Sequence, residues 1–432
     1  MDNRRGLLKR SAGVGAASIG LLAGINKASA ADAGKPIPVG SALPLSGIAA
    51  ADGVEYRNGL TLAAEEINAA GGILGRPIQL HIEDTGNMGP VLTTQAMQRL
   101  IDRYNVPAII NGYNDATNMA EMDTAADADI IFSHYNTLLS ANTKFNSNPK
   151  KYYGCFQGCP PEYYYGVGLL VYLKTLMDEK RWTPANRKIA IIPSSVEYAI
   201  VIANAIRDKA KDFGWEVSLF ETVPFPNNQW GPTLAKIRQD TPGVIAVTHP
   251  LPQDLAQFAL QFTPQPTNSL LYMQYGPSLP AFRQIGGKAT TGVIYSTLIG
   301  CVPDEFSEQF RHDYTQKFGP NSTYLTGSQT YDALWKWALS AAIAGGPGEP
   351  YQKAQAQKIA QVMRQLVYRG TSGTSRVDPD GQSAYCYPTQ TPDPSLGMPH
   401  QFLQVQDATK TPALIAPDLY AQAKFVTPPW MS

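Results

Sequence analysis

The chain has 432 residues, with 35 Lys+Arg against 35 Asp+Glu, and only 16% of it is charged. No basic surplus exists to draw a polyanion, which argues against nucleic acid as a partner. The length exceeds what one hydrophobic core usually supports, so two domains are expected.

Residues 1–30 open with Arg4-Arg5-Gly6-Leu7-Leu8-Lys9, continue through an uncharged Ala/Gly/Leu stretch from Ser11 to Asn26, and close on Ala28-Ser29-Ala30. Paired arginines before an apolar stretch that ends in small residues read as a twin-arginine export signal, cleaved after Ala30. A disordered N-terminus that happens to contain Arg-Arg is the alternative. The stretch is short, rich in Gly and followed by no charged stop-transfer segment, which weighs against a permanent membrane span. The expected location is therefore the periplasm, and the mature chain keeps 30 Lys+Arg against 34 Asp+Glu.

From Ile37 onward, strand-like apolar runs alternate with amphipathic segments of helical length. Val39–Pro44 reads as a strand and Val54–Ala69 as a helix, with Leu60, Ala63, Ala64 and Ile67 on one face and Gly71-Gly72 ending it. Strand Ile78–Ile82, helix Pro90–Tyr104, strand Ala108–Asn111, helix Asp115–Ala126 and strand Ile130–Phe132 follow. Residues 135–161 read as a polar, Asn-rich loop. The alternation then restarts with helix Glu162–Asp178, strand Ile189–Ile192, helix Glu197–Phe213, strand Glu216–Glu221, helix Trp230–Gln239, strand Val244–Thr248 and helix Asp254–Phe262. Strands Leu270–Gln274 and Gly292–Thr297 complete this second series. Three more helices, Glu305–Phe318, Leu325–Ala344 and Tyr351–Leu366, precede a loop-rich tail with short strands near Phe402–Val405 and Ala413–Ile415. Repeated strand-then-helix order marks an α/β fold with parallel sheets covered on both faces.

Four cysteines allow three pairings in an oxidising compartment. A local Cys155–Cys159 disulfide across the C-x3-C turn is expected first. Zinc is not, since neither pair has a further His or Cys at ligand spacing.

Several segments resemble the type I periplasmic solute-binding proteins, the branched-chain amino acid, urea and amide receptors of ATP-binding-cassette (ABC) importers. The resemblance is carried by Val39-Gly40-Ser41-Ala42-Leu43-Pro44-Leu45-Ser46-Gly47, by residues 63–78 (Ala63-Ala64-Glu65-Glu66-Ile67-Asn68 through Gly75-Arg76-Pro77-Ile78), and by Glu83-Asp84-Thr85. It continues at Glu197-Tyr198, Phe213-Gly214-Trp215, Thr330-Tyr331-Asp332-Ala333-Leu334 and Val377-Asp378-Pro379-Asp380-Gly381. It implies two Rossmann-like lobes joined by a three-crossing hinge: lobe 1 from residues 31–155 and 298–385, lobe 2 from 156–297 and 386–432. It further implies a monomer that holds a small polar solute (a branched-chain or other amino acid, urea or a short amide) in an inter-lobe cleft. Permease subunits in the membrane would be its partners. No cofactor is expected. An amide-responsive sensor is the alternative within the family.

Ligands of open parallel sheets bind at the carboxyl ends of the strands, where loops enter helix N-termini. The candidates there are Tyr113, Asn114, Asp115, Thr117, His134, Tyr135, Asn136 and Thr137 in the first lobe, and Tyr198, Trp230 and Tyr275 in the second. The resemblance makes Thr137 a ligand-binding hydroxyl and Tyr198 a residue flanking the solute, while Asp115 or Ala116 stands where a further hydroxyl is expected. Asp115 reads either as a solute partner or as a helix N-cap. His134 either narrows the site or satisfies loop backbone. Tyr113, Trp230 and Tyr275 are either cleft walls or core aromatics. No G-x-S-x-G, H-E-x-x-H or P-loop occurs. A secreted hydrolase would have to use Ser194 or Ser195 with His249, and a binding protein is the favoured reading.

Overall fold

The computed structural model describes residues 34–47, 49–114 and 116–431. The expected export signal and Asp115, with its capping alternative, lie outside the described residues. The first α/β series comprises β1 (Ile37–Leu43), α1 (Ala50–Ala69), β2 (Ile78–Asp84), α2 (Pro90–Asp102), β3 (Ala108–Ile110), α3 (Asn118–Asp127), β4 (Ile131–His134), α4 (Leu139–Ser147) and β5 (Cys155–Gln157). The second begins with α5 (Tyr163–Asp178), β6 (Lys188–Pro193), α6 (Glu197–Ala210), β7 (Glu216–Phe220) and α7 (Gly231–Asp240). It continues through β8 (Val244–His249), α8 (Pro252–Phe262), β9 (Leu270–Tyr275), α9 (Pro280–Gly286) and β10 (Ile294–Thr297). Helices α10 (Glu305–Phe318), α11 (Tyr324–Ile343) and α12 (Lys353–Gln365) lead into a hairpin of β11 (Tyr368–Gly370) and β12 (Gly373–Ser375). The tail holds β13 (Cys386–Tyr387), β14 (Met398–Pro399), β15 (Gln401–Gln404) and β16 (Ala413–Ala416).

Two compact units result, one from the described residues of 34–159 with Ile299–Tyr385 and the other from Pro160–Leu298 with residues 386–431. The chain passes from one to the other three times. The first unit is built on a parallel sheet of order β2-β1-β3-β4-β5. Side chains alternate across it with the period of two that a strand imposes. Val39, Leu43, Ala108, Ile110 and Ile131 join the core under α1, α11 and α12, whereas Ala42, Ile109 and Phe132 join the core under α2, α3 and α4. The second unit has the order β16-β15-β10-β9-β8-β6-β7, parallel except for β15 and β16. There Ile189, Ile191, Val244 and Ala246 face α5 and α6, and Ala190, Ile192, Ile245 and Val247 face α7 and α8.

Three expectations need correction. The 135–161 segment holds α4 and β5: α4 buries only Ala141, Asn142 and Phe145, too few apolar positions to give a visible period, and β5 is three residues long. Helix α9, at seven residues, was likewise below what periodicity can reveal. The Cys155–Cys159 disulfide is not formed, and all four cysteines are buried thiols. Cys155 lies in an extended strand with its thiol donating to Met122 O, and it packs in one core of the unit while Cys159 packs in the other. A disulfide needs Cα atoms within about 7 Å, and extended chain works against that.

Helices α1 and α11 approach so closely that a Cβ on Gly59 would sit 2.0 Å from Gly327 O and 2.6 Å from Thr330 Oγ1, whose hydroxyl donates to Tyr56 O at 2.7 Å. Backbone cannot yield as a flexible side chain does, so Gly59→Ala should force the helices apart and cost about 2 kcal/mol. Chemical denaturation should show a lowered midpoint with an unchanged slope; a midpoint equal to wild type would mean the helices are not held at this distance.

Candidate functional site

In the first unit, buried amides fix the carboxyl ends of β1, β3 and β4. Asn111 Oδ1 accepts from Ala42 N at 2.8 Å, and Asn111 Nδ2 donates to Glu121 Oε1 at 2.8 Å. Asn114 Nδ2 donates to the same carboxylate oxygen at 2.9 Å, and Asn114 N donates to Asn136 Oδ1 at 2.6 Å. The loop after β1 is tied separately: Leu45 N and the Ser46 hydroxyl donate to Asp84 at 2.9 and 2.8 Å. Burial alone would raise the Asp84 carboxyl, but hydrogen bonds from Gly86, Ser46 and Leu45 hold it below the usual aspartate value.

This network places the sequence-derived candidates in different roles. Asn114 and Asn136 are buried and spent on the loops themselves, and Thr117 Oγ1 turns back to donate to Asn114 O at 3.2 Å. Tyr135 is a core residue against Gly158, on the wall of a cavity of about 20 Å³ beside Asp332, Lys336 and Tyr368. That volume suits about one water molecule. His134 is 1% exposed against Phe132, and burial pulls its pKa down to about 3, so it is neutral at pH 7. Thr137, one turn of loop beyond β4, is part-exposed, and its hydroxyl makes no hydrogen bond among the described residues.

Tyr113 donates its hydroxyl to Asp52 Oδ2 at 2.6 Å, and Thr326 Oγ1 donates to Asp52 Oδ1 at 3.3 Å. Asp52 sits in the first turn of α1, and burial, outweighing the hydrogen bonds from Tyr113 and Thr326, raises its pKa. An acid in a first turn reads in sequence as an ordinary partner of the helix dipole, so nothing distinguished it. Because β1, β3 and β4 are adjacent and parallel, Asp52, Tyr113 and Thr137 all follow the same edge of one sheet.

In the second unit, Tyr198 enters α6, and its hydroxyl accepts from Gln274 Nε2 at 3.1 Å. Gln274 belongs to a buried polar chain: the Tyr272 and Ser296 hydroxyls lie 2.7 Å apart, Ser296 donates to Gln274 Oε1 at 3.2 Å, and His400 Nε2 lies 2.8 Å from Ser296 Oγ. Tyr275 is part-exposed at the end of β9 with φ 74° and ψ −59°, a conformation that costs a non-glycine residue about 1–3 kcal/mol and that concentrates at functional sites. Trp230 packs in a core of the second unit. It is fully buried, donates from Nε1 to Asp254 O at 2.9 Å and packs edge-on against Phe258.

Ser194 is fully buried with an unpartnered hydroxyl, and His249 is also fully buried, its Nδ1 accepting from Leu251 N and its Nε2 facing Asp254. They form no serine–histidine pair. Among the described residues, no group of three or more His, Cys, Asp or Glu side chains is placed to hold a metal, and no helix is long and apolar enough to cross a membrane.

Residues 36–393 match the family model of periplasmic binding proteins. The chain belongs to this family. A solved structure from Silicibacter pomeroyi, described as a branched-chain amino acid ABC transporter, is 49% identical, covers 92% of this chain and 100% of its own, and superposes with a TM-score of 0.90. The branched-chain amino acid substrate-binding protein of Streptococcus pneumoniae, solved with isoleucine, shares the fold at 16% identity and TM-score 0.66, covering 89% of this chain and 100% of its own. The Leu/Ile/Val-binding protein homolog 8 of Brucella abortus is 27% identical over 218 residues, 49% of this chain and 51% of the relative. An amino acid binding protein of Pseudomonas aeruginosa is 25% identical over 47% of this chain and 50% of its own length. The chain thus matches about half the length of these curated relatives.

This periplasmic binding protein should be sensitive to acid at His134. A histidine with pKa 6.5 when unfolded and about 3 when folded contributes stability that is complete above 6.5 and lost as pH falls toward 3. At pH 5 the loss is about 2 kcal/mol. His249 and His400, pulled down to about 4 and about 3 by burial, act in the same direction, and Asp332, pushed up to about 6, opposes them. Between pH 7 and pH 5 the unfolding free energy of wild type should therefore fall by about that amount relative to His134→Gln; parallel curves would mean His134 is not held neutral.

Proposed function

We propose that this chain is the extracytoplasmic solute receptor of an ABC importer, capturing a small amino acid and delivering it to permease subunits in the membrane. Branched-chain side chains are the first class to test. The observation that carries this reading is the half-buried carboxylate of Asp52 beside Tyr113, on the same sheet edge as the unspent hydroxyl of Thr137. A carboxylate in that position suits an ammonium group, which urea and simple amides lack. The hydroxyl of Thr137 and neighbouring loop N–H groups suit the solute carboxylate. The 49% identical Silicibacter pomeroyi structure and the Leu/Ile/Val-binding relatives support the same class.

A thermal-shift screen with leucine, isoleucine, glycine, urea and acetamide tests the class. A solute bound only by the folded state adds about 2.7 kcal/mol at a hundredfold excess over Kd. An amino acid should raise the melting temperature and urea should not. Stabilisation by acetamide or urea alone would remove the ammonium argument, and multiple turnover of amino-acid esters would overturn the receptor reading.

Thr137→Val should weaken the identified amino acid tenfold to a hundredfold by leaving a buried polar group of the solute unsatisfied. Asp52→Asn should weaken it at least tenfold by removing the ammonium's counter-charge. Calorimetric titration reads both, and undiminished affinity in both variants would show that the solute binds elsewhere.

A further inference from the structure

Asp52 is a carboxylate held by neutral groups alone. Its oxygens accept from the hydroxyls of Tyr113 at 2.6 Å and Thr326 at 3.3 Å, and no Lys, Arg or His among the described residues forms an ion pair with it. Other acids of the same unit are matched by cations: Asp123 by Lys144 at 2.7 Å, Glu83 by Arg99 at 2.8 Å and Glu65 by Lys317 at 2.6 Å. An ionised carboxylate offers about four lone-pair positions, so two hydrogen bonds leave about half of them open. A like charge stands beside it. Glu55 follows on the same face of α1, where it accepts from Thr323 N at 2.9 Å and from the Tyr314 hydroxyl. Burial above all, with a smaller push from Glu55, disfavours the charged form of Asp52, and the hydrogen bonds from Tyr113 and Thr326 offset this only in part, so its pKa stands above the ordinary aspartate value.

We infer, resting on the amino-acid reading of this site, that a proton and the solute ammonium compete for the Asp52 carboxylate, so that a solute held near neutral pH is released as the pH falls. The exchange balances simply: the protonated carboxyl and the ammonium become a carboxylate–ammonium pair, and the proton passes to the buffer. An ammonium brings both N–H donors for the open lone pairs and the missing positive charge. A proton brings neutralisation alone. The direction follows from linkage. Free Asp52 takes up a proton more readily than Asp52 paired with an ammonium, so the free protein holds more protons than the complex, affinity falls with pH, and binding in acid expels a proton. The groups that face Asp52 are Tyr113 from the loop after β3, Thr326 from α11 and Glu55 from α1 itself, and among them Glu55 is the second carboxyl that the test must separate.

The test is calorimetric titration of the purified protein with leucine, or with isoleucine or glycine where that binds more tightly. It is run at pH 7.5 and at pH 5, each in two buffers of different ionisation enthalpy, with folding at pH 5 confirmed by circular dichroism. Affinity should fall about threefold between the two, with roughly half a proton released per solute bound at pH 5 and none at pH 7.5. Asp52→Asn should bind more weakly, with the same affinity at both pH values and no proton released, whereas Glu55→Gln should keep the release. Equal wild-type affinity at the two pH values, release that persists in Asp52→Asn, or release lost in a Glu55→Gln variant that still binds at pH 7.5 would each overturn the competition and leave the receptor reading standing. Absence of binding by all three amino acids at pH 7.5 would overturn both.

Discussion

One buried carboxylate ties the carboxyl ends of β1, β3 and β4 together. Glu121 sits in the first turn of α3 and receives amide hydrogens from both Asn111 and Asn114. Asn111 in turn accepts from the backbone of β1, and Asn114 is linked to Asn136 beyond β4. Three strands are thus tied at the end where loops must stay polar. Without such ties, each loop amide would need water or would collapse onto the sheet.

With the loops held, the division of labour among polar side chains follows. Asn114, Thr117 and Asn136 are consumed by structure. Tyr113, Asp52 and Thr137 are left nearer the surface, with a carboxylate and a hydroxyl able to meet a charged solute. The second unit repeats the principle with neutral groups: His400, Ser296, Tyr272 and Gln274 form a buried chain that ends on the Tyr198 hydroxyl. Rigid aromatic orientation on that side comes from hydrogen bonds rather than charge.

The architecture was largely legible in the sequence because strand periodicity is local. Ile189-Ala190-Ile191-Ile192 divides between two cores just as alternation requires. Short elements escaped, since β5 and α9 bury too few residues to show a period. The site was legible only in part. Loop positions such as Thr137 follow from where strands end, but Asp52 and Tyr113 are 61 residues apart, and His400 meets Ser296 across 104. Pairings at that range come from topology. Trp230 was ambiguous for a related reason: nothing in its neighbours distinguishes an aromatic that enters the core from one that faces a loop.

The central claim is that prearranged loops at the carboxyl ends of the strands receive the solute. Hydrogen–deuterium exchange with and without a saturating amino acid tests it most directly. Binding should slow exchange in residues 45–53, 111–118 and 134–138 and leave the α5, β15 and β16 amides unchanged. Protection confined to the latter elements, or none in the loop segments at confirmed saturation, would contradict the account.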